Sequence, residues 1–244
     1  MMQAWGITDV GNVRTQNQDF YQITELGEDC LLAVVCDGMG GAKSGNVASR
    51  LACEVFTDEI LRSFKKEMTA AEVDRILRSA ANLANVSVFE HSQLSEEYRG
   101  MGTTLVAALL RPKEALVINI GDSRAYYFDP DGVRCITTDH SVVQYMVQRG
   151  ELTPEQAKNH PSKNLITRAI GPTNQVLADV FTLSIQEGDA ILLCSDGLSN
   201  QMADQEILFE VVHGVRQDDC CQRLLEIAKE RGAPDNVTCV LVAI

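Results

Sequence analysis

The sequence predicts an α+β protein in which antiparallel sheets pack together and helices form the outer layers. Three observations carry this. Strand-like segments come in blocks separated by helix pairs, rather than alternating one for one as in a parallel βαβ chain. Several strands are apolar at every position, as from Leu31 to Cys36, which places them under cover on both faces. Strand after strand also runs into an aspartate, except at the C-terminal end, where the order inverts and Asp235-Asn236 leads into Val237–Val242. In an antiparallel sheet the start of one strand lies beside the end of its neighbour, so all these acids reach one edge.

The elements follow in order. Residues 3 to 36 read as a hairpin-rich start with polar turns at Gly11-Asn12 and Gly27-Glu28-Asp29. From Gly45 to Phe64 the apolar residues Ala48, Leu51, Ala52, Val55, Phe56 and Ile60 recur at helical spacing. A second helix starts at Thr69-Ala70-Ala71-Glu72, a capping box, and both helices are expected on a sheet. Residues 103 to 110 and 115 to 121 form a strand pair, and two more strands flank the turn Asp129-Pro130-Asp131-Gly132. After Asp139-His140-Ser141 come a short helix to Gly150 and an N-terminal helix signal at Thr153-Pro154-Glu155-Gln156. Up to about Gly171 this is a polar insertion over the sheet edge. The last helix spans roughly 218 to 231, stopped by Gly232 and Pro234.

Length and composition bound the function. At 244 residues the chain fits one large domain, and 45% hydrophobic with 23% charged residues is a globular composition. A formal charge of −13 argues against nucleic acid or an anionic membrane as partner. There is no apolar run long enough to span a membrane, and Met1–Trp5 lacks the features of a secretion signal, so a cytoplasmic location is expected. Without a coiled-coil seam the expected state is a monomer. The eight cysteines contain no CxxC pair and mostly lie in apolar runs, as reduced core residues do.

The chemistry centres on Val34-Val35-Cys36-Asp37-Gly38-Met39-Gly40-Gly41, an apolar run that stops on a carboxylate and enters a glycine-rich turn. There the Gly38 carbonyl can join the Asp37 carboxylate as an oxygen ligand. Asp122 ends a second apolar strand, Asp196 a third, Asp235 precedes a fourth, and Asn17-Gln18-Asp19 adds another acid. Carboxylates gathered at one edge raise one another's pKa unless a cation neutralises them, and hard divalent ions suit oxygen ligands. Other site types fail. Gly38–Ser44 is not a phosphate loop, because Ala42 stands where a glycine must precede Lys43, and Lys43 also ends any GxGxxG match. No GxSxG elbow surrounds Ser123 or Ser195, and His91, His140, His160 and His213 show no metal-helix spacing.

The ordered set Arg14-Thr15-Gln16-Asn17-Gln18-Asp19, Asp37-Gly38-Met39-Gly40-Gly41, Gly102-Thr103-Thr104, Gly121-Asp122-Ser123-Arg124, Ser195-Asp196-Gly197-Leu198 and Asp235-Asn236-Val237-Thr238 resembles the metal-dependent protein phosphatases of type 2C in their compact bacterial form. The resemblance covers essentially the whole chain, 1–244. It implies a four-layer αββα sandwich and a phosphoserine/phosphothreonine phosphatase with two central Mn²⁺ or Mg²⁺ ions and a weaker third. By that resemblance Asp37 bridges the two central ions, the Gly38 carbonyl binds one, Asp196 and Asp235 complete the protein ligands, and Asp122 with Asp196 holds the third. Asp19 matches an acid in or beside the coordination shell, Arg14 the arginine that holds the substrate phosphate, and residues 141–164 a flap tied to substrate choice. Phosphorylated proteins, including a serine/threonine kinase, are the implied partners.

The residues agree with this chemistry. Two metals about 3.5–4 Å apart can activate a bridging water for in-line attack on phosphorus, so no protein nucleophile is required. Arg14 is planar and permanently charged, which suits phosphate oxygens. Animal relatives carry a histidine two residues after the bridging aspartate, whereas Met39 stands there and its thioether cannot donate a proton. The rival readings are a non-catalytic binding module, disfavoured by the complete set of matching acids, and a metal phosphodiesterase or nuclease, disfavoured by the acidic charge. A calcium-binding structural domain lacks any EF-hand loop.

Overall fold

The structure, a computed structural model, describes residues 2–40, 44–213 and 217–244. Gly41, Ala42 and Lys43, the end of the glycine-rich turn, lie outside the described residues. Eleven strands are described: β1 (Gln3–Asp9), β2 (Asp19–Glu25), β3 (Leu31–Met39), β4 (Gly102–Thr103), β5 (Leu105–Arg111), β6 (Glu114–Ile120), β7 (Arg124–Asp129), β8 (Gly132–Cys135), β9 (Asp179–Ser184), β10 (Ala190–Cys194) and β11 (Val237–Ala243). The helices are α1 (Gly45–Ser63), α2 (Ala70–Ser92), α3 (Val142–Gln148), α4 (Pro154–Lys158), α5 (Asp196–Ser199), α6 (Asp204–His213) and α7 (Cys220–Glu230).

The strands form two antiparallel sheets, ordered β1-β11-β10-β7-β8 and β2-β3-β5-β6-β9, with β4 paired to the end of β3. Side chains alternate across each strand, and this sorts the apolar run of β3 between two layers. Ala33 and Val35 face the other sheet, where they pack with Val106, Val117, Ile191, Leu193 and Val240. Leu32, Val34 and Cys36 face Ala52, Phe56 and Ile60 of α1 and Leu77 of α2. The second sheet is covered on its outer face by Ile207 of α6 and by Cys220, Leu224 and Ala228 of α7. The α+β expectation therefore holds, layer by layer. Thr69 and Glu72 close the expected capping box at the start of α2, and Thr153 and Gln156 do the same at α4. Seven cysteines are buried, all eight are free, and only Cys135 is exposed.

Two expectations need correction. Gly11-Asn12 does not close a hairpin, because β1 pairs with β11 and β2 with β3, in different sheets. At this point the chain crosses from one sheet to the other. Gly11 takes a positive φ of 76° there, and the Asn12 N–H donates to the Ala233 carbonyl at 2.9 Å. The core strand also does not end at Cys36: β3 continues through Asp37 and Gly38 to Met39, held by Asp19↔Asp37 and Met39↔Gly102 pairing. α6 was not read from the sequence, since its apolar residues Ile207-Leu208-Phe209 and Val211-Val212 are contiguous rather than spaced, and of the helix only Ile207 is buried.

Candidate active site

Antiparallel pairing brings the acids to one end of the sandwich. Asp19 opens β2 directly opposite Asp37 near the end of β3, and both side chains share the face of their sheet that looks toward the other sheet. Asp122 lies in the turn that crosses from β6 of the same sheet to β7 of the other, and Asp196, in the first turn of α5 just past β10, comes from the opposing sheet. Asp235 lies just ahead of β11, whose start pairs with the end of β10 through Cys194↔Cys239. The structure thus gathers every acid singled out in the sequence at one edge.

Packing also demands glycine at position 38. A Cβ on it would run into the backbone carbonyls of Gly45 and Gln18, so glycine is required for α1 to seat against the strand.

A frame of hydrogen bonds fixes each acid. The Asp37 N–H donates to the Thr104 hydroxyl at 2.9 Å, the Thr104 N–H returns a bond to the Asp37 carbonyl at 2.9 Å, and Thr104 meets the Ser123 hydroxyl at 2.7 Å. The Ser195 hydroxyl donates to Asp19 Oδ2 at 2.7 Å while accepting the Thr238 N–H at 3.0 Å. Asn200 donates to Asp196 Oδ2 at 3.0 Å. Arg124 grips Asp139 through two bonds, at 2.9 and 2.7 Å, beside Asp122. Most of these supporting residues lie inside the motifs, Asn200 and Asp139 outside them, and a sequence does not reveal which side chain reaches which group.

Asn236 has the largest reach of them. Its amide donates to the carbonyls of Val10 and Gln16, both at 2.9 Å, and its oxygen accepts the Gln18 N–H at 2.8 Å. One buried side chain therefore fastens the segment that carries Arg14 and Asp19 to the loop that carries Asp235. Asn236→Ala removes three bonds to partly exposed backbone groups, and the expected result is a destabilisation of about 1–3 kcal/mol, read by urea unfolding, with weakened activity. Asn236→Asp, which keeps the acceptor but loses both donations, is expected to fall between the two.

His140 is buried and supports the Asp122 turn. The Gly121 N–H donates to its Nδ1 at 3.1 Å, and the His140 N–H donates to the Gly121 carbonyl at 2.9 Å. With Nδ1 accepting, the proton sits on Nε2 and points to Asp179 Oδ2 at 3.0 Å. Asp179 also receives Arg168 at 2.9 Å. His140 is thus a satisfied polar residue of the core. From here the chain rises into α3 and α4 and returns at a narrow base where Ser141 pairs with Ile166.

The electrostatics are those of an unneutralised cluster. Burial, opposed in part by Thr238 and Ser195 and reinforced by Asp196 and Asp235, pushes the Asp19 carboxyl up to about 7. Burial and then Asp19, Asp196 and Asp122 hold Asp37 well above the usual carboxylate range. Burial with Asp196 and Asp139 brings Asp122 up to about 7, and burial with Asp235 brings Asp196 up to about 6. Asp19 Oδ1 is buried and has no hydrogen-bond partner among the described residues. Orphaned acceptors and acids that resist ionising are what a divalent cation relieves. Among the described residues no three carboxylate, imidazole or thiol groups close on one point. An ion here would take one or two carboxylates with carbonyl oxygen and water, in the manner of Mg²⁺.

Arg14 stands at the same edge. Its Nη2 lies 2.8 Å from Asp235 Oδ2, with 54% of its side chain exposed. Asp235 foremost, with Asp37 and Asp196, holds the guanidinium more basic than usual. A cavity of 510 Å³ opens between this edge and the α3–α4 segment, lined by Asp122, Asp139 and Asp196 on one side and Lys158 and Lys163 on the other.

Comparison with known proteins decides the family. The protein phosphatase 2C profile matches residues 12–241. The chain belongs to the protein phosphatase 2C family. It is 34% identical over 242 residues to the serine/threonine phosphatase stp of Listeria innocua, covering 99% of this chain and 95% of that one. Its fold superposes on the serine/threonine phosphatase of S. agalactiae with a TM-score of 0.93, at 32% identity and full coverage of both chains. The catalytic domain of the phosphatase PstP, solved in complex with two manganese ions, gives a TM-score of 0.85 at 31% identity, covering 99% of this chain and 97% of that one. The fold is thus common to this chain and those relatives.

Proposed function

We propose that the acid-lined edge hydrolyses phosphoserine and phosphothreonine monoesters in proteins, with Mn²⁺ or Mg²⁺ as cofactor. The observation that carries the reading is the buried, mutually repelling set Asp19, Asp37, Asp122 and Asp196, with its orphaned Asp19 oxygen, beside an exposed arginine. Asp37, Asp196, Asp235 and the Gly38 carbonyl would hold the two central ions, Asp122 with Asp196 a weaker third, and Asp19 would lie in or beside the first shell. Such ions supply neutralising charge for the phosphoryl oxygens and activation of water.

The chain's own part is binding and orientation. Arg14 offers a fork of donors to the phosphate, and its contact with Asp235 holds it at the edge. Among the described residues, neither the Ser195 hydroxyl nor the Cys36 thiol is free to act as nucleophile. The Ser195 hydroxyl is committed to Asp19, and Cys36 is buried with its thiol pushed well above its ordinary pKa. Met39 cannot donate a proton to the departing alcohol.

We assign residues 1–244 to one catalytic domain and residues 141–164 to a flap over the edge. We also propose a cytoplasmic monomer that opposes a serine/threonine kinase, since only a kinase makes its substrate. In support, none of the described helices is long and apolar enough to cross a membrane. The test is phosphate release from a phosphothreonine peptide. Turnover with Mn²⁺ or Mg²⁺ and none in EDTA is expected, and turnover undiminished by EDTA overturns the reading.

A further inference from the structure

A second cavity, of 340 Å³, lies on the other side of the acid edge. Its walls include Met39, Ile166, Ala169, Val176 and Leu177, with Arg168 at one side and the uncharged polar residues Thr167, Thr173 and Gln175 among them. It is mainly apolar where the 510 Å³ cavity is acidic. Arg168 brings no free charge, because its Nη1 is paired with Asp179 at 2.9 Å. The volume falls in the range of about 300–1,000 Å³ typical of ligand sites.

Met39 joins this cavity to the chemistry. Asp37 and Met39 are two residues apart in β3, so their side chains leave the strand on the same face about 6.6 Å apart. A phosphate bound by Arg14 at the acid edge beside Asp37 is esterified to a seryl or threonyl side chain, and the polypeptide bearing it must run outward from that point. On one side it meets Asp122, Asp139 and Asp196. On the other it meets the Met39 cavity within the reach of a neighbouring residue.

We propose that the Met39 cavity is a specificity subsite for an aliphatic side chain within two residues of the phosphoserine or phosphothreonine in the substrate protein. The inference rests on placing the reacting phosphate beside Asp37. The mouth of the subsite is set by Leu177, which is 76% exposed and therefore available to contact substrate without serving the core. Ala169 forms part of the wall, and a larger residue there fills the cavity.

The experiment scans leucine against aspartate at each of the two positions before and after phosphothreonine in a short peptide, with p-nitrophenyl phosphate as a substrate that lacks flanking residues. For the wild type with Mn²⁺, leucine at one position is expected to raise kcat/KM by about 10-fold over aspartate, chiefly through KM. Ala169→Phe and Leu177→Asp are expected to erase that preference and leave p-nitrophenyl phosphate turnover unchanged. No preference for leucine at any position, or a preference that survives in both variants, overturns the subsite. Equal loss on peptide and p-nitrophenyl phosphate in Leu177→Asp overturns it as well, since that pattern marks damage to the edge itself. Asp37→Asn separates the two levels, because p-nitrophenyl phosphate turnover persisting in that variant would refute the placement of the phosphate and not the pocket alone.

Discussion

Asp37→Asn will lower turnover of a phosphothreonine peptide by about 10³-fold, the scale of removing one electrostatic stabiliser from an active site. The same substitution will leave the metal-free protein as stable as the wild type or more so. Asparagine has the shape of aspartate, and the backbone bonds to Thr104 that seat residue 37 are untouched. What it removes is a buried carboxyl that Asp19, Asp196 and Asp122 repel. A residue that raises the energy of the empty fold and is indispensable to turnover belongs to function rather than to packing. Thermal unfolding in EDTA beside the peptide assay checks both halves. Near-wild-type turnover, or a melting temperature well below wild type, would contradict the assignment.

The second large effect is on stability against pH and metal. Asp19 and Asp122 are raised to about 7 and Asp196 to about 6, from an ordinary value of 3.8. Because the folded pKa exceeds the unfolded one, the folded chain holds these protons more tightly. Their contribution to stability is complete below about pH 4 and is lost as pH rises through about 6 to 7. In EDTA the melting temperature is therefore expected to fall from about pH 5 to about pH 8. Mn²⁺ acts in the opposite sense, since binding requires the deprotonated acids and strengthens with pH. At about 100 times Kd it adds about 2.7 kcal/mol, which is about 5–10 °C for a chain of this size. A metal-free melting temperature that climbs over this window, or one that Mn²⁺ leaves unmoved, would count against a cation cluster.

Much of this was legible in the sequence because the relevant signals are local. Strand-terminal acids, the Thr69–Glu72 capping box and the apolar spacing of α1 each announce themselves within a few residues. What stayed hidden depends on partners far apart in the chain. The Gly11 turn looks like a hairpin until β1 is seen to pair with β11, more than 200 residues away. The three bonds of Asn236 to residues 10–18 are invisible for the same reason. The packing demand on Gly38 is equally hidden, because the α1 backbone that presses on it is placed there only by the fold. The Met39 cavity could not be foreseen, because Met39 meets residues 166–177 only in the folded chain.

The most direct test of the central claim is a calorimetric titration of Mn²⁺ into the metal-free wild type and Asp37→Asn at about pH 7, where Asp19 and Asp122 still hold part of their protons. The wild type is expected to bind at least two ions with release of protons, and Asp37→Asn to lose the tightest of these events. Identical isotherms for the two proteins would show that Asp37 does not hold the metal, and the acid edge would lose its role as the catalytic centre.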